Sequence, residues 1–156
     1  MTDASKTRPP KSLKARAVGY LARREYARAE LRDKLLATGA APDEVDPVLD
    51  ELAAEGYLSD ERFAQALVRQ KHGGYSKRSI AGTLKAKGVA GEVVTDVLAG
   101  TDMDDAATLV ALWQRRFGRA PADDRERARQ VRFLQSRGFG LSAILKLLRD
   151  PPTDAE

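Results

Sequence analysis

A chain of 156 residues, 42% hydrophobic and 32% charged, suffices for one ordinary domain or for three modules of about fifty residues. It has no cysteine, which excludes disulfides and thiolate metal sites, and no apolar run approaches the roughly 20 residues of a bilayer span. The cytoplasm is the expected address, and the net charge of +4 points to an anionic partner rather than a membrane.

Residues 1–11, with Pro9 and Pro10 among basic side chains, lack the apolar stretch of a signal peptide and read as a disordered tail. Ser12 caps a first helix running to about Arg24. A second runs from Arg28 to Thr38 and stops at Gly39, the residue type best suited to a left-handed C′ position. A third begins near Asp43 or Asp46, which places Pro47 in its first turn, and ends near Gly56. The pattern returns as Asp60–Lys71, Ser76–Lys87 stopped by Gly88, and Glu92–Ala99. From Asp104 it returns again, interrupted by Gly118-Arg119-Ala120-Pro121. Asp123-x-x-Glu126 then opens a helix as a capping-box variant, Gly138 closes it, and Leu141–Arg149 ends at Pro151-Pro152.

The recurrence is regular. Tyr26, Leu31, Leu35, Gly39, Val45, Val48 and Leu49 return 49 residues later as Tyr75, Ile80, Leu84, Gly88, Val94, Val97 and Leu98. A further shift of 50 gives Leu134, Gly138, Ile144, Leu147 and Leu148. Such a period signals tandem modules, each expected to be too small to bury its apolar face alone, stacked into one continuous body. No segment alternates with period two, so the expected class is all-α: three tandem three-helix repeats (12–58, 59–100, 101–150) in an elongated, curved array, followed by a tail at 151–156.

Charge is uneven along this array. Residues 1–60 hold 10 basic and 11 acidic side chains, whereas Arg62 to Gly91 holds seven basic residues and no acid. Arg115 to Arg137 holds eight arginines against Asp123, Asp124 and Glu126. The second and third repeats thus form the basic end, a composition that recruits polyanions through phosphate contacts and counterion release. At 100° per residue, Arg125, Arg129 and Arg132 make a stripe opposite Val131 and Leu134. Arg78 and Lys85 share a face with Gly82 between them. A solvated arginine face and a glycine relieving contact with a neighbouring helix are the ordinary alternatives.

Aromatic residues fall at or near repeat positions and read as core, with the hydroxyl of Tyr26 or Tyr75 left open as a partner contact. Tyr26 and Tyr75 also stand where a hydrophobic staple belongs. The one histidine, His72, sits beside a helix end as a dipole partner. Asp102, Asp104 and Asp105 precede a helix and read as caps rather than metal ligands. No nucleophile–base pair, zincin helix or Walker loop is present, so neither an enzyme nor a cofactor or metal is expected.

Leu21-x-x-Arg24-x-Tyr26-x-x-x-Glu30-Leu31-x-x-Lys34-Leu35-x-x-x-Gly39 resembles the first repeat of the RecX family, regulators of the bacterial recombinase RecA. Gly56-Tyr57-Leu58-Ser59-Asp60-Glu61-Arg62-Phe63-Ala64 is similar to that family's most recognisable stretch. Ile80-x-x-x-Leu84-x-x-Lys87-Gly88-Val89 and Arg132-Phe133-Leu134-x-x-Arg137-Gly138-Phe139 are similar to its second and third repeats. Ala27, Ser59 and Thr83 depart from the serine, aspartate and glutamate common there. The resemblance spans about residues 13–150 and implies a monomer that binds along the groove of the RecA–single-stranded-DNA filament. It implies suppression of ATPase, strand-exchange and co-protease activity, and so modulation of DNA repair and the SOS response. Arg78, Lys85, Arg125, Arg129 and Arg132 are the expected filament or DNA contacts, with Arg115, Arg116 and Arg119 as a second tier and free DNA as a further partner. An independent helical DNA-binding protein, or a protein-interaction scaffold without DNA contact, fits the same composition.

Overall fold

The computed structural model describes residues 11–152, so most of the tails read at 1–11 and 151–156 lies outside the described residues. Among the described residues there are nine helices and no strand. The first three are α1 (Leu13–Arg23), α2 (Arg28–Leu36) and α3 (Pro42–Ala54). Then come α4 (Asp60–Lys71), α5 (Lys77–Ala86) and α6 (Gly91–Ala99), followed by α7 (Asp105–Arg116), α8 (Asp124–Ser136) and α9 (Leu141–Arg149). Each consecutive trio is one repeat.

Local chemistry sets most of these boundaries. Ser12, Ser59, Ser76, Asp104 and Asp123 are N-caps whose side chains accept from a backbone N–H two or three residues on, each contact contributing about 1 kcal/mol. The capping box at Asp123 is shifted at one end. Asp123 accepts from the Glu126 N–H at 2.8 Å, while the Glu126 carboxylate accepts from Ala122 rather than from the cap itself. α3 departs from expectation. Pro42 already occupies its first turn, so Pro47 lies inside the helix and removes the bond to the Asp43 carbonyl. Both residues are exposed, which leaves that carbonyl to water.

Helix packing is concentrated within each repeat, and each repeat encloses its own core: Leu31, Leu35 and Leu49 in the first, Ile80, Leu84 and Val94 in the second, Trp113, Leu134 and Ile144 in the third. The expectation that one module cannot bury its apolar face alone is therefore not met. Three helices at mutual angles suffice for a small closed core, and the repeats are linked by joints rather than by a shared interior. Two buried residues cross over into the core of the second repeat: Ala27 from the first repeat and Met103 from the third.

The two joints use one device. The first residue of the incoming repeat caps the middle helix of the preceding one. Asp60 Oδ1 accepts from the Arg28 N–H at 2.7 Å, and Asp105 Oδ1 accepts from the Lys77 N–H at 3.0 Å. The C′ glycine of each middle helix then packs on the N-terminal turn of the middle helix before it. A Cβ on Gly88 would come within 2.6 Å of Ala29 Cβ, and one on Gly138 would collide with Ser76 and Ser79. Both glycines also hold φ near +90° (85° and 93°), so the turn and the close approach each require glycine. The middle helices α8, α5 and α2 consequently meet end to end.

Candidate nucleic-acid interface

The junction of α8 and α5 brings the helix faces that carry the expected cations next to each other. On α8, Arg125, Arg129 and Arg132 are all exposed and line one depression of about 390 Å³ with Asp123 and Glu126. Ser136 continues the same helical face. It shares a cleft across the joint with Arg78, the first cation of the α5 face, and with Gln135 and the exposed Leu141. Arg78 and Lys85 are both exposed on α5. At 1.5 Å per residue the cationic segment extends about 16 Å along α8 and about 10 Å along α5.

Arg129 belongs to two depressions. The second brings in Arg116 and Arg119, so these second-tier residues join the α8 stripe. Gln130 fixes this corner from inside. Its side chain is buried, accepts from the Trp113 indole N–H at 2.9 Å and donates to the Arg119 carbonyl at 3.2 Å. The Gly118–Pro121 break is thereby tied to α8, which holds the Arg119 side chain beside the stripe. Arg116 lies over the Phe133 ring at 5.0 Å, a cation–π contact that steadies its guanidinium while leaving it exposed.

Arg115 does not join them. Its guanidinium donates to the Gly73 carbonyl at 3.1 Å and serves the joint between the second and third repeats. Arg137, which sequence reasoning did not single out, does the same more strongly. It lies 4.6 Å from the Tyr75 ring centre and 4.9 Å from that of Phe133, with Lys71 a further 4.4 Å contact on Tyr75. Its signal in sequence was its place one residue before a C′ glycine, where a cation can reach back over the joint.

Other expectations resolve locally. Tyr26 is buried and its hydroxyl accepts from Lys34 Nζ at 3.1 Å, so it is a core residue, whereas Tyr57 is 51% exposed instead of packed. Asp104 caps α7, Asp105 caps α5 across the joint, and His72 is the C-cap of α4. Added to Gly82, a Cβ would meet nothing within 4 Å, so relief of helix–helix contact does not account for that glycine.

The arrangement as a whole is an array of cations on rigid helices, suited to holding an extended polyanion. Comparison with known proteins bears on what that partner is. Residues 14–52, 59–98 and 103–148 match, in order, the families described as the first, second and third three-helix domains of RecX. The Regulatory protein RecX of Ralstonia pickettii (strain 12J) is 43% identical over 141 residues, covering 90% of this chain and 89% of the relative. That of Chromobacterium violaceum is 42% identical over 138 residues, covering 88% and 90%. Among solved structures, RecX from Lactobacillus salivarius superposes with a TM-score of 0.69 at 21% identity, over 88% of this chain and 94% of that one. A second crystal structure, of a regulatory protein RecX, gives 0.70 at the same identity, over 88% and 73%.

Proposed function

The chain belongs to the RecX family of regulatory proteins, and on that premise we propose that it is a negative regulator of the RecA recombinase. It binds the RecA–single-stranded-DNA filament as a monomer in the cytoplasm, and it inhibits ATP hydrolysis, strand exchange and co-protease activity. The observation that carries this reading is the set of exposed cations Arg125, Arg129 and Arg132 on α8 and Arg78 and Lys85 on α5, two helices that touch at their ends. A filament is a helical repeat of identical protomers and phosphates. A linear array with regularly placed cations engages several of them at once, and individually modest contacts then multiply through effective concentration. The chain acts by occupancy, with no chemical step of its own.

Two groups have distinct roles in this reading. Arg125, Arg129, Arg132, Arg78 and Lys85 contact filament-bound DNA or acidic recombinase surface. Arg116 and Arg119 widen the α8 end of the track, and Arg115 works mainly at the joint. Reversing the charge of the first group (R125E/R129E/R132E with R78E and K85E) is expected to abolish cosedimentation with RecA–DNA filaments. Helicity and melting temperature should stay as in the wild type, because these side chains are exposed. Cosedimentation at the wild-type level would retire the residue assignment, and failure of the wild type to cosediment would retire the filament reading.

A further inference from the structure

The balance of 10 basic and 11 acidic residues over positions 1–60 hides a separation in space. The described acids of α3 draw cations to one side of the first repeat: Glu51 and Glu55 hold Lys14 at 2.7 and 2.8 Å, Asp46 holds Arg32 at 2.8 Å, and Asp50 holds Arg28. Lys14 is pushed up to about 12 by its two carboxylate hydrogen bonds. Arg24 is paired with Glu30. Arg16 and Arg23 are left exposed on the outer face of α1, with no ion-pair partner among the described residues. They line a groove of about 260 Å³ along the helix, together with Lys11, Ala15, Gly19 and Tyr20.

Gly19 is the informative member. It sits in the interior of α1, where glycine is unfavourable relative to alanine, and its φ is not positive. A Cβ there would meet nothing within 4 Å, so no contact among the described residues requires it. Gly82 on α5 repeats every one of these features, again between two exposed cations seven residues apart (Arg78 and Lys85). Seven residues of helix separate each cation pair by about 10.5 Å, with bare backbone between them. Two mid-helix glycines share this setting, and neither serves the fold. What they share is room for something outside the chain to lie against the helix.

We propose that α1 carries a second phosphodiester-binding face, in which a single-stranded DNA backbone lies across Gly19 between Arg16 and Arg23, in the same way as the proposed α5 face would take one across Gly82 between Arg78 and Lys85. The occupant follows from the lining. The groove offers cations, small residues and the edge of one tyrosine, and no acid and no large aliphatic side chain. It therefore suits a narrow anionic chain better than an apolar helix. This inference concerns DNA itself and stands apart from whether RecA is the protein partner.

Binding of the full chain to a fluorescein-labelled oligothymidylate, followed by anisotropy across a salt series, tests it without RecA. R16E/R23E is expected to weaken binding at least tenfold. The slope of log K against log[salt] should become shallower by about 1.4, the value for two lost phosphate contacts on a single strand. Gly19→Leu should weaken binding at least threefold while its melting temperature holds or rises, because the added side chain meets only open space. Wild-type affinity in both variants would overturn the proposal. So would a wild-type chain that binds poly-glutamate through Arg16 and Arg23 but not the oligonucleotide, which would assign the groove to an acidic protein.

Discussion

Gln130 shows how one buried polar side chain organises the candidate site. It stands on the core face of α8, and both ends of its amide are used: the oxygen accepts from Trp113 and the nitrogen donates to the Arg119 carbonyl. Replacement by leucine removes the acceptor from an indole that is only 1% exposed, and an unsatisfied buried donor costs about 1–3 kcal/mol. Q130L is expected to lower the urea midpoint of the third repeat, followed by the fluorescence of its single tryptophan, with a loss of unfolding free energy in that range. An unchanged midpoint would show that water or another acceptor serves the indole. At 100° per residue Gln130 falls on the same arc as Val131 and Leu134, opposite the arginine stripe. That spacing gave no partner, because Trp113 lies 17 residues away on another helix and Arg119 lies in the break between them. The Arg125, Arg129 and Arg132 stripe was legible, since it depends only on spacing within one helix.

At the level of elements, the helices themselves were readable and the joints were not. Caps such as Ser76 and stops such as Gly88 are local signals. Of the two starts the sequence offers for α3, that near Asp43 lies one residue from the observed Pro42, and the local signal is weak because Ala41, its N-cap, has no polar side chain. The joints depend on contacts such as Asp60 with Arg28, 32 residues apart, which no local pattern encodes. They also differ in kind. The second joint rests on Ser76, 2% exposed, whose N–H donates to the Arg137 carbonyl and whose hydroxyl donates to that of Gly138. The first rests more on ion pairs, Glu25 with Arg62 and Glu30 with Lys87, while Arg24 holds Glu30 from within the first repeat. Burial pushes the Glu30 carboxyl up, but hydrogen bonds from Arg24 and Lys87 outweigh it and hold the group below its ordinary value. A carboxylate lowered in the folded state adds stability above its unfolded pKa, roughly 4.3, and loses it as pH falls through the lower folded value. The melting temperature of the wild type should therefore exceed that of E30Q near neutrality and converge with it in acid. A gap of constant size at every pH would show that Glu30 acts there through shape alone.

For the whole molecule, the repeat period carried the fold class, and three self-contained cores refine it: the array is a series of small bodies joined end to end through their middle helices. Among the described residues no hydrogen bond or ion pair runs from the first repeat to the third, so the array is open rather than closed on itself. Summed charge misled at this scale. It made the first repeat look neutral, although the acids that hold Lys14 and the exposed Arg16 and Arg23 lie on different faces of α1. An open array with cationic faces toward both ends is suited to spanning several units of a filament, and one bound chain then restrains more than one protomer. The most direct measurement is RecA ATP hydrolysis on single-stranded DNA with this protein titrated in below the recombinase concentration. Hydrolysis should fall steeply while the protein is still substoichiometric. Hydrolysis that stays unchanged up to and beyond equimolar protein would contradict a filament-directed regulator and leave the basic faces as a site for DNA alone.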